Sequence, residues 1–327
     1  MTAPQIAAAV TLLDGGATVP FIARYRKEAT NNLDDTHLRT LEERLLYLRE
    51  LEERRQTILA SIDEQGKLTD ELRRAVEQAA TKQAVEDIYL PYKPKRRTKA
   101  QIAREAGLEP LANALFADPT LDPDQEAAKY VKVVAAAEGV EAVNVPDAKA
   151  ALEGARDILV ERFAETAELL ATLRTKLWNE GIVTSTVMPG KETAEEEKFR
   201  DYYAYSETIR TIPSHRALAM FRGRTLGVLK LDLGLGESLE AIVPHPCAAM
   251  IAAHFGIENR GRRADKWLTD VCYWAWRVKV HLHLSTELLL QVREAAEAEA
   301  IKIFGRNLHE LLLAARAGPK AVLGLDP

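Results

Sequence analysis

The stretch DDTHLRTLEERLLYLRELEERRQTILASIDEQG, residues 34–66, decides the fold class. Leu38, Leu41, Leu45 and Leu48 recur in it at intervals of three, four and three residues, which is the spacing of a narrow apolar seam along an α-helix. The other faces carry mostly glutamate and arginine, as on a helix whose remaining surface lies in water. The stretch therefore predicts a long helix that packs against an antiparallel helical partner.

The composition of the whole chain favours the same fold class. Its 327 residues exceed one ordinary hydrophobic core, so we expect two or more sub-domains. Aromatic residues make up only 6 % of the chain, and leucine, alanine, glutamate and arginine dominate it, which is typical of packed helices rather than of a β-sandwich. We predict a mainly α, multi-helical protein.

Turn-forming residues and a change of periodicity divide the chain. The spacing predicts a long helix over residues 147–179, which at about 1.5 Å per residue would exceed about 40 Å unless it breaks near Glu165. Alternation of β-branched residues predicts a few short strands around 182–233. A turn-rich stretch at 118–123 marks the first boundary. The predicted divisions are an N-terminal helical domain (1–120), long helices with a small β element (121–245) and a helical segment (246–316).

The environment of the chain is predicted from what its sequence lacks. Cys247 and Cys272 lie far apart, which suits free thiols in a reducing compartment better than a disulfide framework. No apolar run approaches the roughly 20 residues that span a bilayer, and the N-terminus lacks the layout of a secretion signal. We expect a cytoplasmic protein without a membrane partner.

No motif in the sequence predicts a cofactor, a metal ion or a catalytic site. Neither C-x-x-C nor H-x-x-x-H spacing occurs, so a zinc site is not expected. The segment PGKE is not a phosphate-binding P-loop, because Ser185 stands where the leading glycine belongs and Glu192 where the hydroxyl residue belongs.

The most informative local feature is LPYKPKRRTKAQIAREAGL, residues 90–108. Five of its positive side chains fall within seven residues: Lys93, Lys95, Arg96, Arg97 and Lys99. The formal net charge of the chain is −5, so any attraction to nucleic acid must be local. Lysine and arginine bind phosphate, and Tyr89 and Tyr92 beside the run are placed to stack on bases. The alternative is an exposed turn whose charges pair with acidic faces of neighbouring helices.

Two prolines place the basic run on a loop, which a helix follows. Thr98 and Gln101 have the spacing of a capping box for that helix. The next helix pair partly resembles a helix-turn-helix, and Arg104 on its first helix is a further candidate for nucleic-acid contact. The second helix offers only Asn113 to read base edges, so sequence-specific recognition is not expected.

A second basic and aromatic cluster is NRGRRADKWLTDVCYWAWRVK, residues 259–279. Trp267 and Trp274 are seven residues apart on one helical face, a pattern typical of core packing. Arg262 and Arg263 are expected to stay exposed and to contact phosphate or another domain.

Five segments of the chain resemble the bacterial Tex family of transcription accessory proteins. They are LLDGGATVPFIARYRKEAT, VEDIYLPYKPKRRTKAQIAREAGLEPLA, KFRDYYAYSETIRTIPSHRALAMFRGR, RGRRADKWL and the terminal LGLDP. They follow one another in order over nearly the whole length. The family is similar to the core of the eukaryotic Spt elongation factor.

The resemblance implies a modular protein. It implies a helical N-terminal region with a helix-turn-helix-like element, then an RNase H-like domain of the YqgF type, a helix-hairpin-helix module and an OB-fold RNA-binding domain. Residues 317–327 would form the first strand of the RNase H-like domain, with Asp326 at the position of its first acidic residue. Nucleic-acid binding in the family is attributed mainly to the OB-fold domain.

The leading hypothesis is a non-enzymatic helical scaffold from a Tex-like factor, with auxiliary, sequence-nonspecific binding of RNA or DNA. One alternative is a pure protein-interaction scaffold that docks the downstream domains or RNA polymerase, with the leucine seam and the Trp267 helix as working surfaces. The other alternative is part of an RNase H-like nuclease, which needs more carboxylates than Asp326 alone.

Overall fold

A computed structural model describes residues 1–94, 97–132, 144–191, 197–236, 242–314 and 318 of the chain. The chain divides into two compact units, Met1–Lys95 and Arg96–Pro327. Helices dominate both units, and the described residues hold one small three-stranded sheet, so the prediction of a mainly α fold is confirmed. No helix in the described residues is both long enough and apolar enough to span a bilayer.

The first unit is a set of helices around the long helix predicted from residues 34–66. Its helices are α1 (Ala3–Asp14), α2 (Val19–Tyr25), α3 (Asp35–Glu64), α4 (Asp70–Gln78) and α5 (Lys82–Tyr89). Asp34 caps α3 by accepting the backbone N–H of His37 at 2.8 Å. A glycine turn at Gly15 and Gly16 separates α1 from α2, with Gly16 in the left-handed region at φ +83°.

Helix α3 connects two separate hydrophobic clusters. Its 30 residues span about 45 Å. Leu38 and Leu41 pack with α1 and α2 near its start, whereas Leu51 and Ile58 pack with α4 and α5 near its end. Leu48 lies between the two clusters and is 45 % exposed. Of the four leucines in the predicted seam, only Leu38 and Leu41 are therefore buried. The other helices of the unit pack against the two ends of α3 rather than against its middle.

The second unit begins with a helix pair and continues through a helical core. Its helices before the sheet are α6 (Lys99–Glu105), α7 (Glu109–Ala117), α8 (Pro123–Ala128), α9 (Ala148–Ala164) and α10 (Ala167–Glu180). Helix α9 ends at Ala164, so the predicted break near Glu165 is confirmed. The helix pair α6–α7, grouped with residues 1–120 in the sequence analysis, packs against α9 and falls in the second unit. The predicted four-part division itself stays a prediction.

Small side chains let α6 lie close to α9. Ala151 and Ala155 are fully buried on α9. A Cβ atom added at Gly154 would lie 2.4 Å from Cδ1 of Leu108 and 3.2 Å from Cβ of Ala103. A larger residue at Gly154 would push the helices apart, so the glycine is required for this packing.

The sheet is antiparallel with the order β2–β1–β3. Its strands are β1 (Ile182–Val187), β2 (Ala204–Thr208) and β3 (Leu229–Gly234). All three strands lie within the predicted region around 182–233, although the β-branched alternation marks only β1 and β3, because the segment AYSET is short and mostly polar. The predicted strand at 317–327 falls outside the described residues apart from Gly318.

Helices complete the second unit around the sheet. They are α11 (Ser214–Thr225), α12 (Pro246–His254), α13 (Asp265–Trp274) and α14 (His281–Leu312), together with a 3₁₀ helix at Glu197–Tyr202. A π-helical segment, Ala275–Val280, joins α13 to α14 without a break. Segments of π-helix are rare and are found frequently at functional sites.

Candidate nucleic-acid interface

The basic run at 93–99 crosses the junction of the two units. Lys93 lies one residue before the end of the described part of the first unit, and Lys99 begins α6 in the second. Both lysines are exposed and have no ion pair within the described residues. Lys95 and Arg96 lie outside the described residues. Arg97 binds intramolecularly, since its Nε and Nη2 donate to Oε2 of Glu105 at 3.0 and 2.7 Å.

The tyrosines that flank the run pack against the hydrophobic cluster at the end of α3 in the first unit. Tyr89 is only 7 % exposed, and its hydroxyl lies 2.9 Å from Oγ of Ser61. The Arg54 guanidinium lies over its ring at 5.7 Å from the centroid. Tyr92 packs partly buried against the same hydrophobic cluster. The expectation that Tyr89 stacks on bases is therefore wrong, because its ring is buried at the end of α5.

Arg104 neutralises a carboxylate inside the second unit. Its Nη1 donates to Oε2 of Glu161 at 2.7 Å, and the Glu161 side chain is only 6 % exposed. The hydroxyl of Thr98, which caps α6, donates to Oε1 of the same carboxylate at 3.1 Å. A buried carboxylate without a cation is strongly destabilising, so Arg104 joins α6 to α9. Arg104 therefore has an ion-pair partner within the fold, Glu161.

Arg262 is likewise engaged, with Asp265 at the start of α13. The Arg262 Nε donates to Oδ1 of Asp265 at 2.9 Å, and the backbone N–H groups of Arg260 and Arg262 donate to Oδ2 at 2.7 and 2.8 Å. Burial alone would raise the pKa of Asp265, but these hydrogen bonds outweigh it and hold that pKa below its ordinary value.

Arg263 differs from its neighbour. Its side chain is 64 % exposed, and its Nη1 lies 3.7 Å from Oδ2 of Asp122. An exposed pair at this distance contributes little to stability, so the Arg263 side chain is free to exchange partners.

The predicted tryptophans are not equally buried. Trp276 is 4 % exposed and stacks on His245, with ring centroids 5.2 Å apart. Trp274 is 43 % exposed and lies 4.3 Å below the Arg156 guanidinium. The prediction of core packing is therefore wrong for Trp274, which forms a cation–π contact at the surface, and Trp267 is half-buried.

A basic groove that the sequence analysis did not identify lies over the open face of the sheet. Thr184 pairs with Asp232 and Thr186 with Lys230 across β1 and β3. Residues opposite each other in a sheet share one face, so these four side chains line one surface. Arg277 of the π-helical segment adds a second cation to this cavity, whose volume is about 330 Å³.

A second cavity of about 480 Å³ continues from the first along α14. The two share Asp232, Arg277 and His281, and the second adds Arg224 from α11. We call the combined feature the sheet groove. Its polar lining residues are Thr184, Thr186, Arg224, Lys230, Asp232, Arg277, His281, Ser285, Thr286 and Arg293.

The charges of the sheet groove are unbalanced. Arg224, Lys230 and Arg277 have no acidic partner within the described residues. Asp232 is the single carboxylate among the described lining residues, and its Oδ1 already accepts the backbone N–H of Leu233 at 3.0 Å. The Oγ of Ser285, on a residue only 8 % exposed, has no hydrogen-bond partner among the described residues. The groove therefore offers cations and a spare hydroxyl to an anion.

The described residues offer no comparable site for a metal ion. Within them, no three histidine, cysteine, aspartate or glutamate side chains converge to hold one. Cys247 and Cys272 are buried free thiols, as the sequence predicts. Burial raises the pKa of Cys272 to about 12, so this thiol stays protonated. Asp326 falls outside the described residues.

Fold and groove together define a mainly helical protein with a surface suited to polyanions. Family models match the chain as a Tex-like protein N-terminal domain over residues 1–63 and as a Tex central region over residues 118–304. The second match alone covers more than half of the chain. The chain therefore belongs to the Tex family.

Individual relatives agree with this assignment. The chain is 57 % identical to Protein tex of Bordetella pertussis and 54 % identical to Transcriptional accessory protein Tex of Neisseria gonorrhoeae, matching 99 % and 100 % of this chain. It is 28 % identical to human S1 RNA-binding domain-containing protein 1, over 97 % of this chain and 31 % of that protein. The chain spans 41 % of the length of the two bacterial relatives.

Arg104→Ala should lower the stability of the second unit, because the Glu161 carboxylate would lose its arginine. Breaking a fully buried pair costs about 3–5 kcal/mol. Since the Arg104 side chain is 36 % exposed and Thr98 remains, we expect about 2 kcal/mol. Urea unfolding followed by circular dichroism measures the change.

Arg263→Ala is the matched control, with an expected change within about 0.5 kcal/mol. A wild-type unfolding midpoint for Arg104→Ala, together with weakened oligonucleotide binding, would instead assign Arg104 to a ligand.

Proposed function

We propose that this chain is a helical scaffold of a Tex-like transcription accessory factor and adds auxiliary, sequence-nonspecific binding of RNA or DNA. The observation that carries the proposal is the sheet groove, with three cations unpaired within the described residues and one carboxylate. In a chain of net charge −5, such a local excess of positive charge marks a surface for a polyanion.

The chemistry of the groove favours the phosphate backbone over the bases. Lys230 and Arg277 provide ammonium and guanidinium donors, and Thr184 and Thr186 add hydroxyl donors on the same face. Contacts of this kind position a nucleic acid without reading its sequence. The helix pair α6–α7 adds no reader of bases to the proposal, because Arg104 binds Glu161.

The basic loop remains a second proposed contact, now with fewer members. Lys93 and Lys99 are exposed and unpaired within the described residues, and Lys95 and Arg96 continue the same positive run. Arg97 is left out because it binds Glu105. Arg263 also stays in the proposed set of contacts, because its exposed ion pair with Asp122 leaves the side chain accessible.

The names of two relatives agree with a nucleic acid as the partner. The gonococcal relative is named a transcriptional accessory protein, and the human relative is named for an S1 RNA-binding domain. Neither name describes catalysis, and we propose none for this chain.

Lys230→Glu combined with Arg277→Glu should weaken oligonucleotide binding, because it replaces two phosphate contacts with repulsion. We expect an affinity loss above about tenfold at low salt and a plot of log K against log salt that is shallower by about 2. Fluorescence anisotropy with labelled single-stranded and duplex probes across a KCl series measures both quantities.

Lys302→Glu with Arg306→Glu is the control for net charge. It makes the same charge change on the exposed end of α14, away from the groove along that helix. Equal losses in the two double variants would mean that overall charge, rather than the groove, governs binding.

Alanine at Lys93, Lys95, Arg96 and Lys99 together should also reduce the salt dependence of binding. The slope of log K against log salt should fall by up to about 1 for each phosphate that these side chains neutralise in the wild type. The same anisotropy titrations measure it. Arg97→Ala is the control and should bind as the wild type does, because that guanidinium is held by Glu105. If the fourfold variant keeps the wild-type slope, the loop is a solvated turn.

The end of α14 favours a second candidate function, a scaffold for protein partners. All residues from 301 to 314 are exposed, including Ile301 (72 %), Phe304 (68 %) and Leu311 (72 %). Contiguous exposed apolar side chains of this size mark interaction surfaces. The proposed occupants are the downstream domains of the family or RNA polymerase.

Phe304→Ser with Leu311→Ser should abolish capture of purified RNA polymerase if the polymerase docks there, since both large apolar side chains are removed from the surface. Biolayer interferometry with immobilised chain measures the binding. Lys302→Ser with Arg306→Ser, on the same turns, controls for changes in the helix. Undiminished capture by the apolar variant would remove the polymerase from this surface.

A further inference from the structure

Helix α2 presents aromatic rings to solvent. Phe21 and Tyr25 lie one turn apart, are 43 % and 65 % exposed, and have ring centroids 5.4 Å apart. The opposite side of the helix is the buried one, with Val19 and Ile22 packed in the core of the first unit. Water therefore faces two rings on the side where an amphipathic helix carries polar residues.

A cleft adjoins these rings at the glycine turn between α1 and α2. Its volume is about 490 Å³, and Phe21, Arg26, Thr11 and Thr18 are among its lining residues. Gly16 also lines it, and a Cβ atom added there would meet nothing within 4 Å. The turn thus leaves space beside the Phe21 ring for a flat group.

Three cations lie at or just after the end of α2; Arg26 lines the cleft, and the Arg24 guanidinium lies over the Tyr25 ring at 6.0 Å from the centroid. Arg24, Arg26 and Lys27 have no acidic partner within the described residues. The nearest carboxylate before them in sequence, Asp14, pairs with Arg49 at 2.8 Å. That contact lowers the pKa of Asp14 through a hydrogen bond from Arg49, so the carboxylate stays ionised and engaged. Arg24 at the end of α2, and Arg26 and Lys27 directly after it, therefore remain available to an external anion.

The turn that carries the cations is held in place. Thr30 is fully buried, and its hydroxyl donates to the backbone carbonyl of Lys27 at 3.2 Å. The backbone N–H of Asn32 donates to the same carbonyl at 2.8 Å. Asn31 and Asn32 both take left-handed backbone angles, φ +49° and +63°, which are uncommon for residues other than glycine.

We propose that Phe21, Arg24, Tyr25, Arg26 and Lys27 form a binding site for single-stranded nucleic acid, with unpaired bases on the two rings and phosphates on the three cations. We call this the α2 face. Rings combined with cations are the means by which single strands are bound without sequence preference. A duplex hides the faces of its bases, so the rings select unpaired strands.

This inference goes beyond the backbone contact proposed for the sheet groove. The groove is lined by cations and hydroxyls and does not distinguish single strands from duplexes. An acidic peptide is the other partner that such charges would fit, yet it would leave the two ring faces unused. The observations therefore favour the nucleic acid.

Phe21→Leu with Tyr25→Leu is the decisive variant, because it keeps apolar bulk and removes both rings. We expect the affinity of the whole chain for oligothymidylate of about 15 nucleotides to fall at least about fivefold, with duplex affinity unchanged within about twofold. Fluorescence anisotropy measures both. A base analogue whose fluorescence is quenched by stacking should be quenched by the wild type and not by this variant.

Two controls protect this experiment. Tyr25→Phe keeps both rings and should bind and quench as the wild type does. Circular dichroism should show unchanged folding of the leucine variant, because both side chains are exposed.

Arg24→Gln with Arg26→Gln and Lys27→Gln should instead flatten the salt dependence for single strands and leave quenching detectable at low salt.

Three results would overturn the inference. One is an unchanged affinity of the leucine variant for single strands, which leaves the sheet groove proposal intact if Lys230→Glu with Arg277→Glu still weakens binding. Another is binding of polyglutamate with dependence on both rings, which would assign the face to an acidic peptide. The third is no binding of any oligonucleotide by the wild type, which would overturn both proposals.

Discussion

The close approach of α6 to α9 is the contact on which the second unit depends. Gly154 allows it, because any side chain there would meet Leu108. The approach brings Arg104 within 2.7 Å of the buried Glu161 carboxylate, which lies 57 residues away in sequence. The other side of α9 packs against the π-helical segment that carries Arg277. One helix thus supports both the helix pair at the start of the unit and one wall of the sheet groove.

Pairing inside the fold determines which cations remain for a ligand. Arg97, Arg104 and Arg262 are close to carboxylates, and their charge is balanced within the second unit. The pairs of Arg104 and Arg262 with buried carboxylates cannot be given up to a phosphate without a large loss of stability in the unit. Lys230 and Arg277 have no such partner in the described residues, so a ligand phosphate replaces only water around them.

The sequence predicts local structure well and tertiary pairing poorly. The helical fold, the break near Glu165 and strands β1 and β3 follow from periodicity and turn residues, which act over a few positions. Strand β2 has too few β-branched residues to be recognised. A run of charge marks residues 93–99, yet Lys230 and Arg277 lie 47 positions apart, one in a strand pattern and the other near the end of the second basic cluster. Only the packing of the π-helical segment beside the sheet brings them together.

The small number of free cations also explains why we propose only an auxiliary role for this chain in nucleic-acid binding. Each phosphate contact adds a modest, salt-dependent increment, and a groove with three cations unpaired within the described residues supports only weak binding alone. Weak sites on one chain still reinforce each other, because the first contact raises the effective concentration of the strand at the second. Contacts to the phosphate backbone would hold a nucleic acid near the scaffold without reading its sequence, because sequence is read through contacts to the bases.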